Sequence, residues 1–174
     1  MPITDKRFGG DAMDVLWDEL VAGFPDGRQL AHVIIRLVAA AMLGAIVGWE
    51  RKSVGKSAGL RTHMLVSLGS ALFVVACEGS GMSSDGISRV VQGLTTGIGF
   101  IGGGAILKLA SEREIHGLTT AAGIWMTAAI GVTVGLGALG LALLATVITT
   151  LTLGATRLSA AYAERRANTP GSNL

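Results

Sequence analysis

One uninterrupted stretch limits the fold of this chain more than any other feature. Forty consecutive residues, 117–156, contain no Asp, Glu, Lys, Arg or His. A single helix of that length would be about 60 Å long, roughly twice the thickness of the hydrocarbon core of a bilayer. The sequence GLGALG at 135–140 lies near the middle of the stretch and predicts a tight turn. We therefore expect two membrane-spanning helices joined by that turn.

Composition extends this expectation to most of the chain. Of its 174 residues, 50% are hydrophobic and only 15% are charged, and the mean hydropathy is +0.58. We predict an all-α, polytopic membrane protein with five transmembrane helices, preceded by an extracytoplasmic leader (1–29) and followed by a short cytoplasmic tail (158–174). Five apolar segments have about the length that a span needs. They are residues 30–49, 61–77, 90–108, 118–135 and 138–155.

The leader is predicted to contain a short amphipathic helix that lies at the membrane interface. Apolar side chains recur in it at helical spacing, at Met13, Leu16, Trp17, Leu20, Val21 and Phe24. Acidic side chains lie on the opposite side, at Asp11, Asp14, Asp18 and Glu19. The alternative is a loosely ordered leader without a functional role.

The distribution of basic residues predicts the orientation in the membrane. Lys and Arg are concentrated on the side that contains the loop after the first span, where nine of the 14 lie, against four on the other side and Arg36 within a span. Cytoplasmic loops carry the excess of Lys and Arg. The amino terminus is therefore expected outside and the carboxyl terminus in the cytoplasm.

Several function classes are excluded. The single cysteine, Cys77, permits no internal disulfide and no cysteine-based zinc cluster. The GIGFIG string at 97–102 matches a dinucleotide-binding pattern literally but lies inside an apolar span, and the GKS string at 55–57 has Glu50 where a phosphate-binding loop needs glycine. The basic residues form no single face for nucleic acid. No catalytic constellation is present, so we expect a non-enzymatic protein without a cofactor or metal site.

Arg36 is the charged residue that lies deepest in a predicted span, about one and a half turns inside the first one. It shares a face with small residues at four-residue steps, so that face should point into the helix bundle, where the guanidinium needs an acid. Asp85 is the predicted partner, in preference to Glu78 and Asp26. It precedes the glycine-rich third span, whose open faces should let the first helix come close. Snorkelling to the outer interface is the alternative.

Other polar side chains lie within the spans or at their ends and are candidates for function. An inner collar of charged residues has two interpretations, an orientation-setting rim or an ion-paired gate. The candidates on or near the collar are Glu50, Arg51, Arg61 and His63, and those elsewhere are Arg89, Gln92, Thr119 and Thr120.

Glycine spacing predicts close helix contacts. GxxxG pairs occur within spans at 44/48, 93/97, 99/103 and 131/135. In the third span the dense glycines also permit a deformable helix whose carbonyl groups line a polar path. The glycines singled out for packing are Gly44, Gly48, Gly97, Gly99, Gly102, Gly103 and Gly104.

Four motifs together resemble the MgtC/SapB family over about residues 30–140. They are GAIVGWER at 44–51, GLRTH at 59–63, GIGFIGGGAI at 97–106 and GLTTAAGIW at 117–125. Asp85 and Arg89 also lie where the family has an acid and an arginine. Gly103 and Gly123 depart from the family pattern, and the soluble domain that many members carry after the fifth span is missing from this sequence.

The resemblance implies a multi-pass protein of the bacterial inner membrane that is linked to growth in low magnesium and, in pathogens, to survival inside host cells. It also implies regulation of membrane energetics through the F-type ATP synthase. Our first hypothesis is a non-enzymatic regulator that acts through helix–helix contacts with another membrane complex. The alternative is a small transporter or channel for Mg²⁺ or another solute. A homo-oligomer is compatible with either hypothesis.

Overall fold

A computed structural model describes residues 11–21, 26–108 and 115–167 of the chain. This part of the chain is helical, as expected, apart from its turns and one pair of two-residue strands. The helices are α1 (Asp11–Val21), α2 (Gly27–Ser53), α3 (Leu60–Gly79), α4 (Ser84–Gly104), α5 (Leu118–Gly135) and α6 (Leu139–Ala167). The strands β1 (Leu107–Lys108) and β2 (Ile115–His116) pair antiparallel, with Leu107 opposite His116.

Local sequence determines where these helices begin and turn. The Asp26 carboxylate accepts a hydrogen bond from the backbone N–H of Arg28 at 2.7 Å and caps the start of α2. The Ser83 hydroxyl caps α4 in the same way by accepting from the backbone N–H of Gly86. Between α5 and α6 the chain reverses over three residues, and Gly137 adopts φ +80° there, a conformation that favours glycine. The turn expected near the middle of the uncharged stretch is confirmed.

The five predicted apolar segments coincide with α2 to α6, and α1 is the helix predicted in the leader. In the described part of the chain, three helices, α2, α3 and α5, are long and apolar enough to cross a membrane, and residues 139–155 of α6 form a shorter apolar helix. The α4 helix has 21 residues, but seven are glycine and it contains polar side chains at several positions. It is therefore less apolar than its neighbours, and the count of five spans stays a prediction. The helix bounds also differ from those of the predicted segments, since α4 ends at Gly104 and α6 continues to Ala167.

The α3 helix lies at the centre of the bundle, between α2 and α5. The α6 helix packs against α2 and α5, and α4 packs against α5 and, less extensively, α3. The main apolar core is formed by buried side chains from α2, α3, α5 and α6. Its members are Ala40, Leu43, Val47, Ala71, Ile130, Val134, Ala142 and Leu153.

Two GxxxG pairs allow the close contacts on either side of α3. A Cβ atom added at Gly44 would lie 2.5 Å from the carbonyl oxygen of His63, and one added at Gly48 would lie 2.7 Å from the Cα of Leu60. On the other side, a Cβ at Gly131 would overlap the backbone of Ser67. Only glycine permits backbones to approach this closely. Gly44 and Gly48 thus lie at close helix contacts, as their spacing predicts.

The packing role predicted for most glycines of α4 is wrong within the single chain. A Cβ added at Gly97, Gly99, Gly103 or Gly104 would meet no atom of the described part of the chain within 4 Å. At Gly102 it would meet Ala121 at 3.6 Å, an ordinary contact. The reason is the rotation of α4, which turns Ile98 and Gly102 towards α5 and leaves its other glycines on the outside of the bundle.

Candidate functional site

The centre of the bundle contains a polar cluster that is shielded from solvent by α2 and α5. His63 on α3 is fully buried, and its Nδ1 lies 2.7 Å from the Thr127 hydroxyl on α5. That hydroxyl donates its own proton to the carbonyl oxygen of Gly123 at 2.8 Å. Which group donates in the contact between His63 and Thr127 depends on the tautomer of the imidazole. Among the described residues, the buried His63 Nε2 atom has no hydrogen-bond partner of good geometry, although the backbone of Ala58 is near the imidazole.

Serine side chains continue this cluster along α3. Ser67, one turn after His63, is fully buried, and its hydroxyl has no hydrogen-bond partner among the described residues. Ser70 is also buried. Sequence reasoning singled out His63 but not these serines. Their spacing could have predicted that they are buried with His63. Positions 63, 67, 70, 71 and 74 follow one face of an apolar helix at steps of three or four. Thr120, a predicted candidate, is buried on α5 at the same end of the bundle.

A second buried group holds the end of α2 against α6. The Arg51 guanidinium donates from Nε to Oε2 of Glu50 at 2.5 Å and from Nη2 to the carbonyl oxygen of Leu153 at 3.4 Å. Arg51 is 2% exposed and Glu50 is 9% exposed. The residues of the predicted collar therefore do not form one surface. Glu50, Arg51 and His63 lie inside the bundle, whereas Arg61 lies outside it. Buried charges of this kind are held because each has a partner.

At the opposite end of the bundle, Arg36 joins three helices. Its Nη1 donates to Oε2 of Glu78 on α3 at 2.5 Å and to the carbonyl oxygen of Gly135 at the end of α5 at 2.8 Å. The guanidinium also lies over the turn that follows, because a Cβ added at Gly137 would be 2.6 Å from Nη2. Arg36 thus satisfies a helix-end carbonyl that has no partner within α5.

The predicted pairing of Arg36 with Asp85 is wrong. Glu78, in the last turn of α3, faces α2, which packs along α3. Asp85 lies in the first turn of α4, and α4 packs against α5 and α3 on another side of the bundle. The prediction failed because it assumed that the glycines of α4 bring that helix close to α2.

Above Arg36, α2 and α3 enclose an open vestibule of about 960 Å³. Its walls carry charges of both signs. The polar residues that line it are Asp26, Arg28, Gln29, His32, Arg36, Glu78 and Ser80. Within residues 11–21, 26–108 and 115–167, no group of three His, Cys, Asp or Glu side chains is placed to hold a metal ion.

The remaining predicted candidates lie on the outside of the bundle. Asp85, Arg89 and Gln92 are exposed on α4, and Thr119 is exposed at the start of α5. The structure therefore brings together Glu50 with Arg51, and His63 with Thr127, but it does not bring the α4 residues to either group.

Comparison with known proteins extends the resemblance. The model of the MgtC family matches residues 37–161. Protein SrpB of Synechococcus elongatus is 45% identical over 140 residues, which cover 74% of this chain and 76% of SrpB. The putative magnesium transporter YhiD of Escherichia coli K12 is 45% identical over 130 residues, and protein MgtC of Salmonella typhimurium LT2 is 42% identical over 115 residues.

The matched regions leave part of the longer relatives uncovered. They include 71% of this chain but 60% of YhiD, and 66% of this chain but 48% of MgtC. No solved structure matches the chain significantly.

Proposed function

This chain belongs to the MgtC family, and from that membership we propose that it is a non-enzymatic protein of magnesium homeostasis that regulates another membrane complex through contacts between helices. The names of the relatives support the link to magnesium, since YhiD is called a putative magnesium transporter. The resemblance to the family supports the F-type ATP synthase as the regulated complex.

The closed centre of the bundle is the observation that favours regulation over transport. Side chains of α3 are fully buried at successive turns, at His63, Ser67, Ala71 and Val74. Gly44 and Gly131 bring the backbones of α2 and α5 against this helix from both sides. An ion path needs a continuous row of polar groups with room between them. The packed seam around α3 has no such room, so the surface on which the protein acts is its perimeter.

We place the protein in the bacterial inner membrane with its amino terminus outside. The exposed loop between α2 and α3 contains Lys56, and basic residues flank it at Lys52 and Arg61. The opposite turn, between α3 and α4, contains no Lys or Arg. This asymmetry supports a cytoplasmic position for the loop after α2.

The proposal is tested in a strain that lacks the gene. We expect slower growth in micromolar magnesium, normal growth in millimolar magnesium, and rescue by the wild-type chain. Cross-linking in membranes from magnesium-starved cells should enrich membrane subunits of the ATP synthase over membranes that contain an unrelated five-span protein at equal abundance. Equal growth of the two strains in low magnesium would contradict the link to magnesium, and equal enrichment would contradict the proposed partner.

Transport is the second candidate, because the vestibule between α2 and α3 offers a polar entrance at one end of the bundle. Its floor carries the Arg36 guanidinium, whose positive charge opposes entry of a bare Mg²⁺ ion unless Glu78 compensates it. A transporter would need this ion pair to open. Flux measurements therefore distinguish the two candidates directly.

A further inference from the structure

The outward side of α4 carries polar groups where a helix at the edge of a membrane bundle should be apolar. Asp85, Arg89, Gln92 and Thr96 follow one another at steps of three or four residues, and all four are exposed. Ile98 lies on the opposite side of the same helix and is buried against α5. The α4 helix is thus amphipathic, and its polar side faces away from the rest of the chain.

Contact between this side of α4 and lipid acyl chains is energetically unfavourable. A helix of 21 residues is about 31 Å long, so Gln92 lies about 12 Å from its start and within the hydrocarbon region of a bilayer. A carboxamide there has no water to bond with, and a polar group without a partner in hydrocarbon is costly. Within the part of the chain that the structure describes, neither Asp85 nor Arg89 forms an ion pair. In a single copy, the described residues thus offer no partner to the Gln92 carboxamide and no ion pair to Asp85 or Arg89.

We propose that a second copy of this chain covers this surface, with α4 packed against α4 about a two-fold axis normal to the membrane. Asp85 and Arg89 are one helical turn apart on the same side, so the surface complements itself under that symmetry. Each Arg89 meets the second copy's Asp85, which gives two equivalent ion pairs at the outer end of the interface. The Gln92 side chains of the two copies form a hydrogen bond to one another below these pairs.

The backbone of α4 is shaped for this contact. Gly93 and Gly97 flank the polar row on one side of the helix, and a Cβ added at either position would meet no atom of the described residues within 4 Å. Two helices that cross at these glycines can approach closely enough for Gln92 to reach its counterpart. Phe100 lies about one turn after Gly97 and is 86% exposed. In the proposed dimer it fills the inner end of the interface.

The charges allow a test that separates contacts between copies from contacts within one chain. A chain with Asp85→Asn keeps only the arginine, and a chain with Arg89→Gln keeps only the acid. Neither variant can form the ion pair within itself or in a homodimer, whereas the mixed dimer forms one pair. The two variants carry different tags and are coexpressed and reconstituted in lipid vesicles. The homodimers of each variant and the mixed dimers are then counted.

We expect the mixed dimer to exceed its statistical share of one half, with an association constant raised about threefold or more. Coexpression of Asp26→Asn with Arg28→Gln, which changes the acid that caps α2 and a base in its first turn, is the matched control and should give the statistical share. Statistical mixing of the α4 variants would overturn the proposal, as would a monomeric wild-type protein in the vesicles.

Cross-linking locates the interface independently of charge. In a Cys77→Ala background, Thr96→Cys should form a disulfide-linked dimer under mild oxidation, because Thr96 lies on the proposed interface. Leu144→Cys on α6 is the control, since Leu144 is also exposed, at 56%. A dimer linked through Leu144→Cys and not through Thr96→Cys would overturn the proposal by placing the contact on α6.

Discussion

Replacing Gly44 with alanine tests the close packing of α3 at the position where the structure gives the clearest magnitude. The new Cβ would lie 2.5 Å from the carbonyl oxygen of His63 and 2.9 Å from the Cβ of Ser67. A carbon and a carbonyl oxygen normally stay about 3.3 Å apart or more. The α2 and α3 helices must therefore separate by roughly 0.8 Å. The α3 helix cannot simply retreat, because Gly131 of α5 contacts the backbone of Ser67 on its other side.

The expected cost follows from two opposing terms. Overpacking of a filled core costs about 1–3 kcal/mol, and replacing glycine by alanine in a helix interior returns about 0.5–1 kcal/mol. Gly44→Ala should therefore lower the free energy of unfolding by about 1–2 kcal/mol. Gly69→Ala on α3 is the matched control, because a Cβ there meets no atom within 4 Å. It should be neutral or stabilising by up to about 1 kcal/mol.

Unfolding in mixed micelles by increasing SDS, followed by tryptophan fluorescence, measures both variants against the wild type. We expect Gly69→Ala to be the most stable chain, followed by the wild type and then by Gly44→Ala. If Gly44→Ala were as stable as Gly69→Ala, the helices would not be in the close contact described above, and the closed centre of the bundle would have to be reconsidered.

Three further outcomes are expected. Arg36→Met or Glu78→Gln alone should destabilise the protein by about 1 kcal/mol, while the double variant loses less than the sum; strictly additive effects in a double-mutant cycle would contradict the pair. His63→Ala should lower the free energy of unfolding by about 2–4 kcal/mol, because it removes a fully buried ring and its hydrogen bond, and a wild-type melting curve would contradict this. In a background without the native cysteine, Ser83→Cys should react with an impermeant thiol reagent in intact cells and Ser57→Cys only after permeabilisation; the same accessibility for both would contradict the orientation.

The sequence predicted the helices well because their signals are local. The uncharged stretch at 117–156 and its central glycines indicated two helices and a turn, and these are α5 and α6. The contacts of Gly44 and Gly48 were also predictable, since a GxxxG pair on an apolar helix requires a partner that approaches closely.

The pairing of Arg36 and the role of α4 could not be derived in the same way. Which acid meets Arg36 depends on which helices are neighbours, and sequence spacing does not determine that order. Glu78 meets it because α2 lies along α3, whereas Asp85 is on a helix that packs elsewhere. The rotation of α4 could not be predicted either, because glycines occur on most sides of that helix. Its buried side is marked only by Ile98 and Gly102.

Magnesium flux into liposomes is the most direct test of regulation against transport. Purified wild-type protein is reconstituted with a magnesium-sensitive dye inside the vesicles, and uptake is followed under an inward gradient, with and without a membrane potential. Arg36→Met is included because it removes the positive charge from the floor of the vestibule, and an established magnesium transporter in the same lipid shows that the assay detects flux. For a regulator we expect uptake by both chains to equal that of protein-free vesicles. Saturable uptake by the wild-type protein, changed by Arg36→Met, would contradict the proposed function.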